Sequence, residues 1–263
     1  MDSPPRTNTA SVETRQRAIL QLISQNGYAG IDQMVEAFEV TPQTIRRDLQ
    51  DLGERGLLRR HHGGASAIST TMNADYGMRH VENAAEKARI ARAAAGMIPA
   101  GSSVFLTPGT TVEALARALV DLRVQGLRII TNSTVAAQIL GDGRDTVVHV
   151  TGGVWQANNM SLAGPAAVDT VARYRCDFLV TSIGGIDTDG WLMEYRDEDV
   201  VVARAMLLNS RKRILLADHT KFARTASCKL APLGQMTALV TDRPPPLVLR
   251  SLMAENGCAL VEA

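Results

Sequence analysis

The sequence has few cysteines, no long hydrophobic run and almost no excess of charge. Its three cysteines among 263 residues lie far apart and form no CxxC pair, which argues against a disulfide framework or a zinc knuckle. No stretch approaches the roughly 18 consecutive apolar residues of a membrane helix, and the first residues lack the apolar core of a signal peptide. We therefore predict a soluble, cytoplasmic protein that does not bind a membrane.

The charge balance is close to neutral, with 28 Lys and Arg against 27 Asp and Glu. Such a sum does not favour a nucleic-acid partner, but it can hide a local basic patch. Five arginines and two histidines lie between Thr41 and His62, although the first 64 residues sum to zero. The position of the charges, rather than their sum, therefore has to decide the question.

Two patterns divide the chain. Residues 12–67 show short helical segments followed by a basic hairpin, whereas residues 84–263 alternate apolar runs with helical segments. Between them, residues 68–83 are small and polar with weak periodicity, as is typical of a linker. We predict an N-terminal winged helix-turn-helix domain, a linker, and a larger C-terminal domain.

The third predicted helix of the first domain carries both a start and an inward face. Thr41 is a suitable N-cap, Pro42 suits the first helical position, and Gly56 ends the segment. Ile45, Leu49 and Leu52 follow helical spacing and are predicted to face the core. Two earlier helices are predicted, one from about Glu13 to Asn26 and one capped by Asp32.

The opposite face of this third helix and the hairpin after it indicate DNA binding. Arginine pairs with guanine and glutamine with adenine in the major groove, so a helix face bearing both can read bases. An ordinary solvated helix face is the alternative, but it does not account for the basic wing that follows. The predicted DNA-binding residues are Thr41, Gln43, Thr44, Arg46, Arg47, Gln50, Arg59, Arg60 and His61. The nearby acids Asp48, Asp51 and Glu54 are expected either to orient the arginines or to solubilise the helix.

The second domain is predicted to be an α/β, doubly wound, mostly parallel sheet. Short apolar strands that alternate with helices are typical of a sheet covered on both faces. Ligands in such sheets bind beyond the carboxyl ends of the strands. Those ends carry the motifs PGTT, NS, GG, IGGID and DHTK.

The turn Pro108 to Thr111 has the composition of a phosphate cradle. Gly109 allows close approach of the backbone, and Thr110 and Thr111 add hydroxyl groups at a helix start, where the helix dipole favours an anion. An ordinary strand-to-helix turn capped by threonine is the other reading of the same residues.

A paired-carboxylate loop raises the possibility of an enzyme. Asp187, Asp189 and Glu194 lie in one segment, and such acids can abstract a proton next to a carbonyl. They can equally shape a turn, while the later acids begin a helix. Since the five histidines form no nucleophile triad and no HExxH, we predict no catalytic residue, no metal and no cofactor.

Several motifs make the chain resemble DeoR-family bacterial repressors. The segments TIRRDL and RHHGGA are the most specific, and EKARIA, PGTTVEALA, IGGID and DHTKF follow in the order of the family from Arg15 onward. One departure is that Thr107-Pro108 stands where related proteins usually carry an acid. The resemblance implies a sensor domain related in fold to ribose-5-phosphate isomerase. This domain would bind a phosphorylated metabolite, and that binding would release the protein from its operator.

The resemblance also extends the predicted effector site. The family element D-x-x-K-F implies roles for Asp218 and Lys221, and lysine is otherwise rare in this chain. The predicted effector-binding residues are Gly109, Thr110, Thr111, Asn132, Gly153, Asp187, Asp218 and Lys221. The implied effector is glycerol-3-phosphate or a sugar phosphate.

We therefore predict a repressor of a carbon-metabolism operon, for glycerol or sugar use, with operator DNA as its partner. Since one small module buries too little surface for useful specificity, a homodimer or homotetramer is expected. The first alternative is a sugar-phosphate isomerase or deaminase with an accessory DNA-binding domain. The second is a binding module whose C-terminal domain only oligomerises.

Overall fold

A computed structural model describes residues 9–26, 28–61, 63–66, 76–143 and 145–263. The chain divides into two compact units, Met1–Met72 and Asn73–Ala263, each with its own hydrophobic core. The domain limits read from the sequence remain a prediction.

The N-terminal unit contains three helices and a small antiparallel sheet. The helices are α1 (Thr9–Asn26), α2 (Ile31–Phe38) and α3 (Pro42–Glu54). The strands are β1 (Tyr28–Gly30), β2 (Arg59–His61) and β3 (Gly64–Ser66), in the order β1-β3-β2. This is the winged helix-turn-helix predicted from the sequence, with β2 and β3 forming the wing.

Local chemistry accounts for α3. The Thr41 hydroxyl oxygen accepts a hydrogen bond from the Thr44 amide at 3.2 Å, and Pro42 occupies the first turn, where its missing N–H costs nothing. Ile45, Leu49 and Leu52 are buried, with at most 2% of each exposed. The predicted cap, start and inward face of this helix are therefore confirmed.

The starts of the first two helices differ from the prediction. Helix α1 begins at Thr9 rather than near Glu13. Gly30, not Asp32, is the N-cap of α2, because β1 leads directly into the helix and the Ile31 amide donates to the Gly63 carbonyl at 2.9 Å. Asp32 lies in the first turn instead, where a negative charge suits the helix dipole.

The second unit is built on a seven-stranded parallel sheet of order β15-β14-β12-β9-β4-β5-β6. Apolar residues of one strand alternate between two cores: Val104 and Leu106 pack in one cluster and Phe105 in the other. This alternation confirms a sheet with both faces covered. Its strands are β4 (Ser103–Leu106), β5 (Arg128–Thr131), β6 (Val147–Val150), β9 (Cys176–Ser182), β12 (Ser210–Leu216), β14 (Ala238–Thr241) and β15 (Ala259–Glu262).

The helices of this unit separate by face. One core receives α5, α6 and α7, and the other receives α8, α9 and α10. Their bounds are α5 (Ala84–Ala95), α6 (Thr110–Asp121), α7 (Thr134–Gly141), α8 (Pro165–Ala172), α9 (Asp197–Leu208) and α10 (Leu247–Glu255).

Two smaller sheets and two short 3-10 helices, none of them predicted, lie in the connections. One of the two sheets is an antiparallel hairpin of β7 (Val154–Gln156) and β8 (Ser161–Ala163). An antiparallel sheet joins β10 (Gly185–Ile186), β11 (Trp191–Glu194) and β13 (Cys228–Pro232), and the 3-10 helices are His219–Lys221 and Leu233–Gln235.

The segment predicted as a linker is partly helical. Helix α4 (Tyr76–Val81) occupies its second half, while residues 67–75 lie outside the described residues. The weak periodicity of the sequence did not indicate this helix, whose Tyr76 hydroxyl and Arg79 carbonyl make hydrogen bonds to α6.

Candidate nucleic-acid interface and effector site

The outer face of α3 is open to solvent. Gln43, Arg46, Arg47 and Gln50 are exposed, and Thr44 is half-buried. Within the residues that the structure describes, no ion pair engages Arg46 or Arg47. The helix therefore presents two available arginines and two glutamines on one face, as the sequence predicted.

The acids of α3 do not orient these arginines. Asp48 is buried and accepts a hydrogen bond from Arg15 Nε at 2.6 Å, which raises the pKa of Arg15. Asp51 accepts from Gln16 Nε2 at 3.0 Å and from Arg55 at 3.3 Å. Two of the three acids thus bind α1 or the helix end, which corrects the expectation that they orient Arg46 and Arg47.

The last acid and the cap are also occupied locally. Gln50 Nε2 donates to Glu54 Oε1 at 3.0 Å, four residues further along the same helix. The hydroxyl groups of Thr41 and Thr44 lie 2.9 Å apart at the helix start. These two threonines are therefore positioned by the capping geometry.

The wing is described only in part. Arg60 is exposed, and its aliphatic carbons lie against Gly53 of α3, where an added Cβ would come within 3.0 Å of them. The side chains of Arg59 and His61 lie outside the described part of the chain, although their backbone forms β2. His62 lies outside it entirely.

The predicted cradle at the start of α6 leaves backbone donors available. Gly109 has φ +139°, and an added Cβ would meet the Ser182 hydroxyl oxygen at 2.2 Å, so the fold itself requires glycine here. Gly109 caps α6 without a side-chain hydrogen bond. Among the described residues, the amides of residues 110–112 donate to no acceptor. An anion at this helix start would receive their N–H groups.

Thr110 and Thr111, the two threonines of the cradle, are buried. The Thr110 hydroxyl donates to the carbonyl oxygen of Arg79 in α4 at 3.2 Å. The predicted alternative, in which a threonine caps α6, is not seen, because Gly109 occupies that position.

Asn132 and Gly153 follow β5 and β6. Asn132 Nδ2 donates to the Leu162 carbonyl at 2.9 Å, while Asn132 Oδ1 is buried and has no hydrogen-bond partner among the described residues. Gly153 has φ +132°, and an added Cβ would lie 2.4 Å from the Ala163 carbonyl oxygen. Gly153 thus allows the close packing of β7 against β8. Asn132 Oδ1 remains available to accept a hydrogen bond.

Asp218 and Lys221 come together at the end of β12. Burial would raise the pKa of Asp218, but Lys221 and the hydrogen bonds from Thr220 outweigh it, so that pKa is lowered. Burial, with help from Arg224, lowers the pKa of Lys221 to about 8. In the described part of the chain no hydrogen bond or ion pair engages Lys221 Nζ.

Asp187 stays in its own turn. One of its carboxylate oxygens, Oδ1, accepts from the amides of Asp189 at 3.0 Å and Trp191 at 2.8 Å. This is the turn-shaping role that the sequence left open as the alternative to catalysis, and in the described residues no side-chain hydrogen bond or ion pair joins Asp187 to the other predicted effector residues.

Three charged residues that sequence reasoning did not place in the site gather there. Burial, followed by the charge of Asp199, raises the pKa of Glu194 to about 7. Burial also raises the pKa of Asp199, whose carboxylate accepts from Asn159 at 3.3 Å. Arg79 of α4 lies near both acids. Asp199 does begin α9, as predicted, but it also belongs to this charged group.

Neither metal ligation nor membrane insertion finds support among the described residues. Their His, Cys, Asp and Glu side chains form no group of three or more that could hold a metal ion. No helix in the described ranges is long and apolar enough to cross a bilayer.

Comparison with known proteins covers both units. Residues 15–71 match the DeoR-like helix-turn-helix domain, and residues 82–243 match the DeoR C terminal sensor domain. The HTH-type transcriptional repressor CsqR of Escherichia coli (strain K12) is 42% identical, over 94% of this chain and 94% of its own. The Glycerol-3-phosphate regulon repressor of the same strain is 39% identical, over 94% of this chain and 97% of its own. The motifs GWLMEY and TDRPPP also predict similarity to this second relative, which is confirmed.

Solved structures align less closely. Ribose 5 phosphate isomerase A from Neisseria gonorrhoeae is 13% identical, with a TM-score of 0.39 over 52% of each chain. The eIF2B beta structure from Chaetomium thermophilum is 14% identical, with a TM-score of 0.44 over 95% of this chain and 91% of its own. At these scores no chemistry and no residue role is carried over.

Proposed function

The chain belongs to the DeoR family of transcriptional regulators, and we propose that it represses a carbon-metabolism operon until a phosphorylated metabolite binds its second unit. The observation that carries the first half is the exposed face of α3. The observation that carries the second half is a helix start with available amides at the carboxyl edge of the sheet, the same edge at which half-buried Lys221 follows β12.

On DNA, α3 enters the major groove. Arg46 and Arg47 reach guanine edges or phosphates, and Gln43 and Gln50 reach adenine. Thr41 and Thr44 contact the backbone near the helix start. Arg59, Arg60 and His61 on the wing contact the backbone or the minor groove. Because the unit as a whole is not basic, we expect modest non-specific affinity and a specificity that depends on a few base contacts.

In the second unit, the phosphate group of the effector accepts hydrogen bonds from the start of α6. Thr111 adds a hydroxyl donor, the Thr110 hydroxyl joins it by exchanging its bond to the Arg79 carbonyl for one to the phosphate, and Gly109 allows the backbone to approach. Lys221 supplies a positive charge, with Asp218 holding the turn that carries it. Asn132 Oδ1 accepts from a hydroxyl group of the effector, and Gly153 shapes the neighbouring turn.

Release from the operator follows from differential binding. The effector stabilises one arrangement of the two DNA-binding units of an oligomer, and that arrangement does not fit the two half-sites. A homodimer or homotetramer acting in the cytoplasm meets this requirement, since palindromic half-sites need at least two recognition helices. Glycerol-3-phosphate is the effector we propose first, because a relative that this chain matches over 94% of its length is named for that regulon.

One observation favours an enzyme as the second candidate. Glu194 has its pKa raised to about 7 and Lys221 has its pKa lowered to about 8, and these values suit a general acid and base near neutral pH. The alternative function is a sugar-phosphate isomerase or deaminase.

Two measurements on the full-length protein separate the candidates. Operator fragments are first selected from the genome by binding. Gel-shift titrations and thermal shifts are then recorded with glycerol-3-phosphate, ribose-5-phosphate and glucosamine-6-phosphate, with unphosphorylated glycerol as the matched control. A repressor is released from DNA and gains thermal stability with one phosphate ester only. Turnover of ribose-5-phosphate or glucosamine-6-phosphate would establish the enzyme instead.

A further inference from the structure

Helix α4 is anchored to the first turn of α6. The Tyr76 hydroxyl lies 2.9 Å from both carboxylate oxygens of Glu113, and His80 Nδ1 lies 3.6 Å from one of them. Glu113 is 0% exposed. The Thr110 hydroxyl also donates to the Arg79 carbonyl. Tyr76, Arg79 and His80 of α4 therefore all contact the first turn of α6, which is proposed to bind phosphate.

Arg79 extends from α4 into the group of acids. Its guanidinium donates to the Asn158 carbonyl at 2.8 Å and lies 3.4 Å from Asn159 Oδ1. Burial lowers the pKa of Arg79, and the charges of Glu194, Glu113 and Asp199 offset part of that effect. Arg79 is therefore a cation held among three carboxylates and one short loop.

Other nearby cations are already engaged. Lys87 Nζ donates to the carbonyls of Arg79 and Glu82, at 2.5 and 2.7 Å. Arg196 donates to Gln156 and Asn158, each at 2.8 Å, and pairs with Glu198. Lys221 offers a point charge, whereas Arg79 alone in this group combines a planar guanidinium with a direct backbone link to the cradle. A guanidinium binds phosphate oxygens in pairs, which an ammonium group does not.

Helix α4 lies close in sequence to the wing of the N-terminal unit. Strand β3 of the N-terminal unit ends at Ser66 and α4 begins at Tyr76, so nine residues, 67–75, separate the wing from the helix that carries Arg79. Along the chain, α4 is therefore the first described element of the second unit after the wing.

We propose that Arg79 is an effector-binding residue whose guanidinium engages the anionic group of the effector, and that α4 thereby transmits occupancy of the site to the DNA-binding unit. This inference rests on the proposed function. In the effector-bound state the Arg79 guanidinium exchanges its contacts with Asn158 and Asn159 for the anionic group of the effector. The anchorage of Tyr76 and His80 on Glu113 then belongs to the effector-free state.

The first test uses Arg79→Met and Arg79→Lys in the full-length protein, with Arg92→Met on the exposed side of α5 as matched control. Affinity for glycerol-3-phosphate is measured by calorimetry, and operator affinity by gel shift without ligand. Arg79→Met is expected to lower ligand affinity at least tenfold, whereas Arg92→Met should leave it within about threefold of wild type. Arg79→Lys keeps the buried positive charge, and its ligand affinity should lie between that of wild type and that of Arg79→Met.

The second variant, Tyr76→Phe, removes only the hydroxyl bonds to Glu113. Ligand affinity should stay within about threefold of wild type, whereas the ratio of operator affinities with and without saturating ligand should change at least fivefold. An unchanged ratio would overturn the transmitting role of α4.

The outcomes distinguish this inference from the proposed function. A wild-type protein that binds operator but none of the phosphate esters overturns both. A responsive wild type with equally responsive Arg79→Met and Arg79→Lys variants overturns the inference about Arg79 alone and leaves the proposed function in place.

Discussion

The exposed face of α3, which we propose binds DNA, and the charged group beside α6 differ in the surroundings of their charges. On α3 the proposed DNA-binding side chains come from one helix and are largely exposed to solvent. In the described residues, Arg46 and Arg47 form no ion pair. Beside α6 the charges come from α4, β11, α9 and the turn after β12, and burial shifts their pKa values. Screening by water keeps the first set independent, whereas the low-dielectric surroundings couple the second.

This difference sets how each region responds to substitution. Exposed, separated side chains act nearly additively, whereas residues of one charge network change each other's energies. Variants of the exposed face of α3 should thus affect operator binding alone, while variants near α6 should affect ligand affinity, coupling and pH dependence together.

The largest effect is expected for Arg47→Ala. A bidentate arginine–guanine contact contributes about 1–3 kcal/mol, and an oligomer loses it in each half-site. We expect operator affinity to fall by roughly a hundredfold or more in gel-shift titrations, with the melting temperature unchanged because Arg47 is exposed. Arg17→Ala, also exposed but on α1, is the control. Unchanged operator affinity of Arg47→Ala would refute the assignment of α3.

Replacement of Thr110 and Thr111 by valine should have the next largest effect. The double variant keeps the volume of both side chains but loses two hydroxyl donors, each contributing about 1.5–3 kcal/mol when bound to a charged group. Release of operator should then require at least tenfold more glycerol-3-phosphate, with DNA binding retained. Thr170→Val, whose hydroxyl binds only the Ala166 carbonyl of its own helix, is the control. A normal response would move the phosphate site elsewhere.

A smaller effect should separate the two kinds of acid on α3. Asp48→Ala removes the buried partner of Arg15 and is expected to cost about 2 kcal/mol of stability, since it leaves polar groups of α1 without their acceptor. Asp51→Ala removes an acid that is 51% exposed and should cost less than about 1 kcal/mol. Urea unfolding of the full chain measures both. Equal losses would contradict the structural role given to Asp48.

The smallest effect concerns protons. At pH 8 Lys221, whose pKa is about 8, is partly deprotonated. Glu194, whose pKa is about 7, is largely deprotonated at the same pH. A phosphate dianion raises both pKa values, so binding takes up protons and affinity weakens a few-fold from pH 7 to pH 9. Calorimetry in two buffers of different ionisation enthalpy measures the uptake. Proton release on binding at pH 8 would show that the phosphate lies away from this group.

Much of the first unit follows from local rules. The Thr41 cap, Pro42 and the spacing of Ile45 and Leu49 predict α3 and its outer face, because helical geometry assigns each side chain a direction. The start of α2 was predicted wrongly because strand β1, which is three residues long, has too little pattern to be seen.

The second unit was predicted in architecture but only partly in its site. Alternating apolar strands and helices indicate a parallel sheet and place Thr110, Asn132 and Lys221 near its carboxyl edge. Arg79 lay in a predicted linker and Asp199 in a helix start. Their sequence surroundings carry no signal of burial, and only packing brings them together.

The sequence by itself determined helix α3, the hairpin after it and the alternation of strands and helices in the second unit, since capping residues and hydrophobic period act over a few positions. Only the tertiary structure decided that Asp48 serves α1 rather than the arginines, and that α4 sets Arg79 beside Glu194 and Asp199. Burial and charge proximity depend on residues that are far apart in the chain, and no local pattern encodes them.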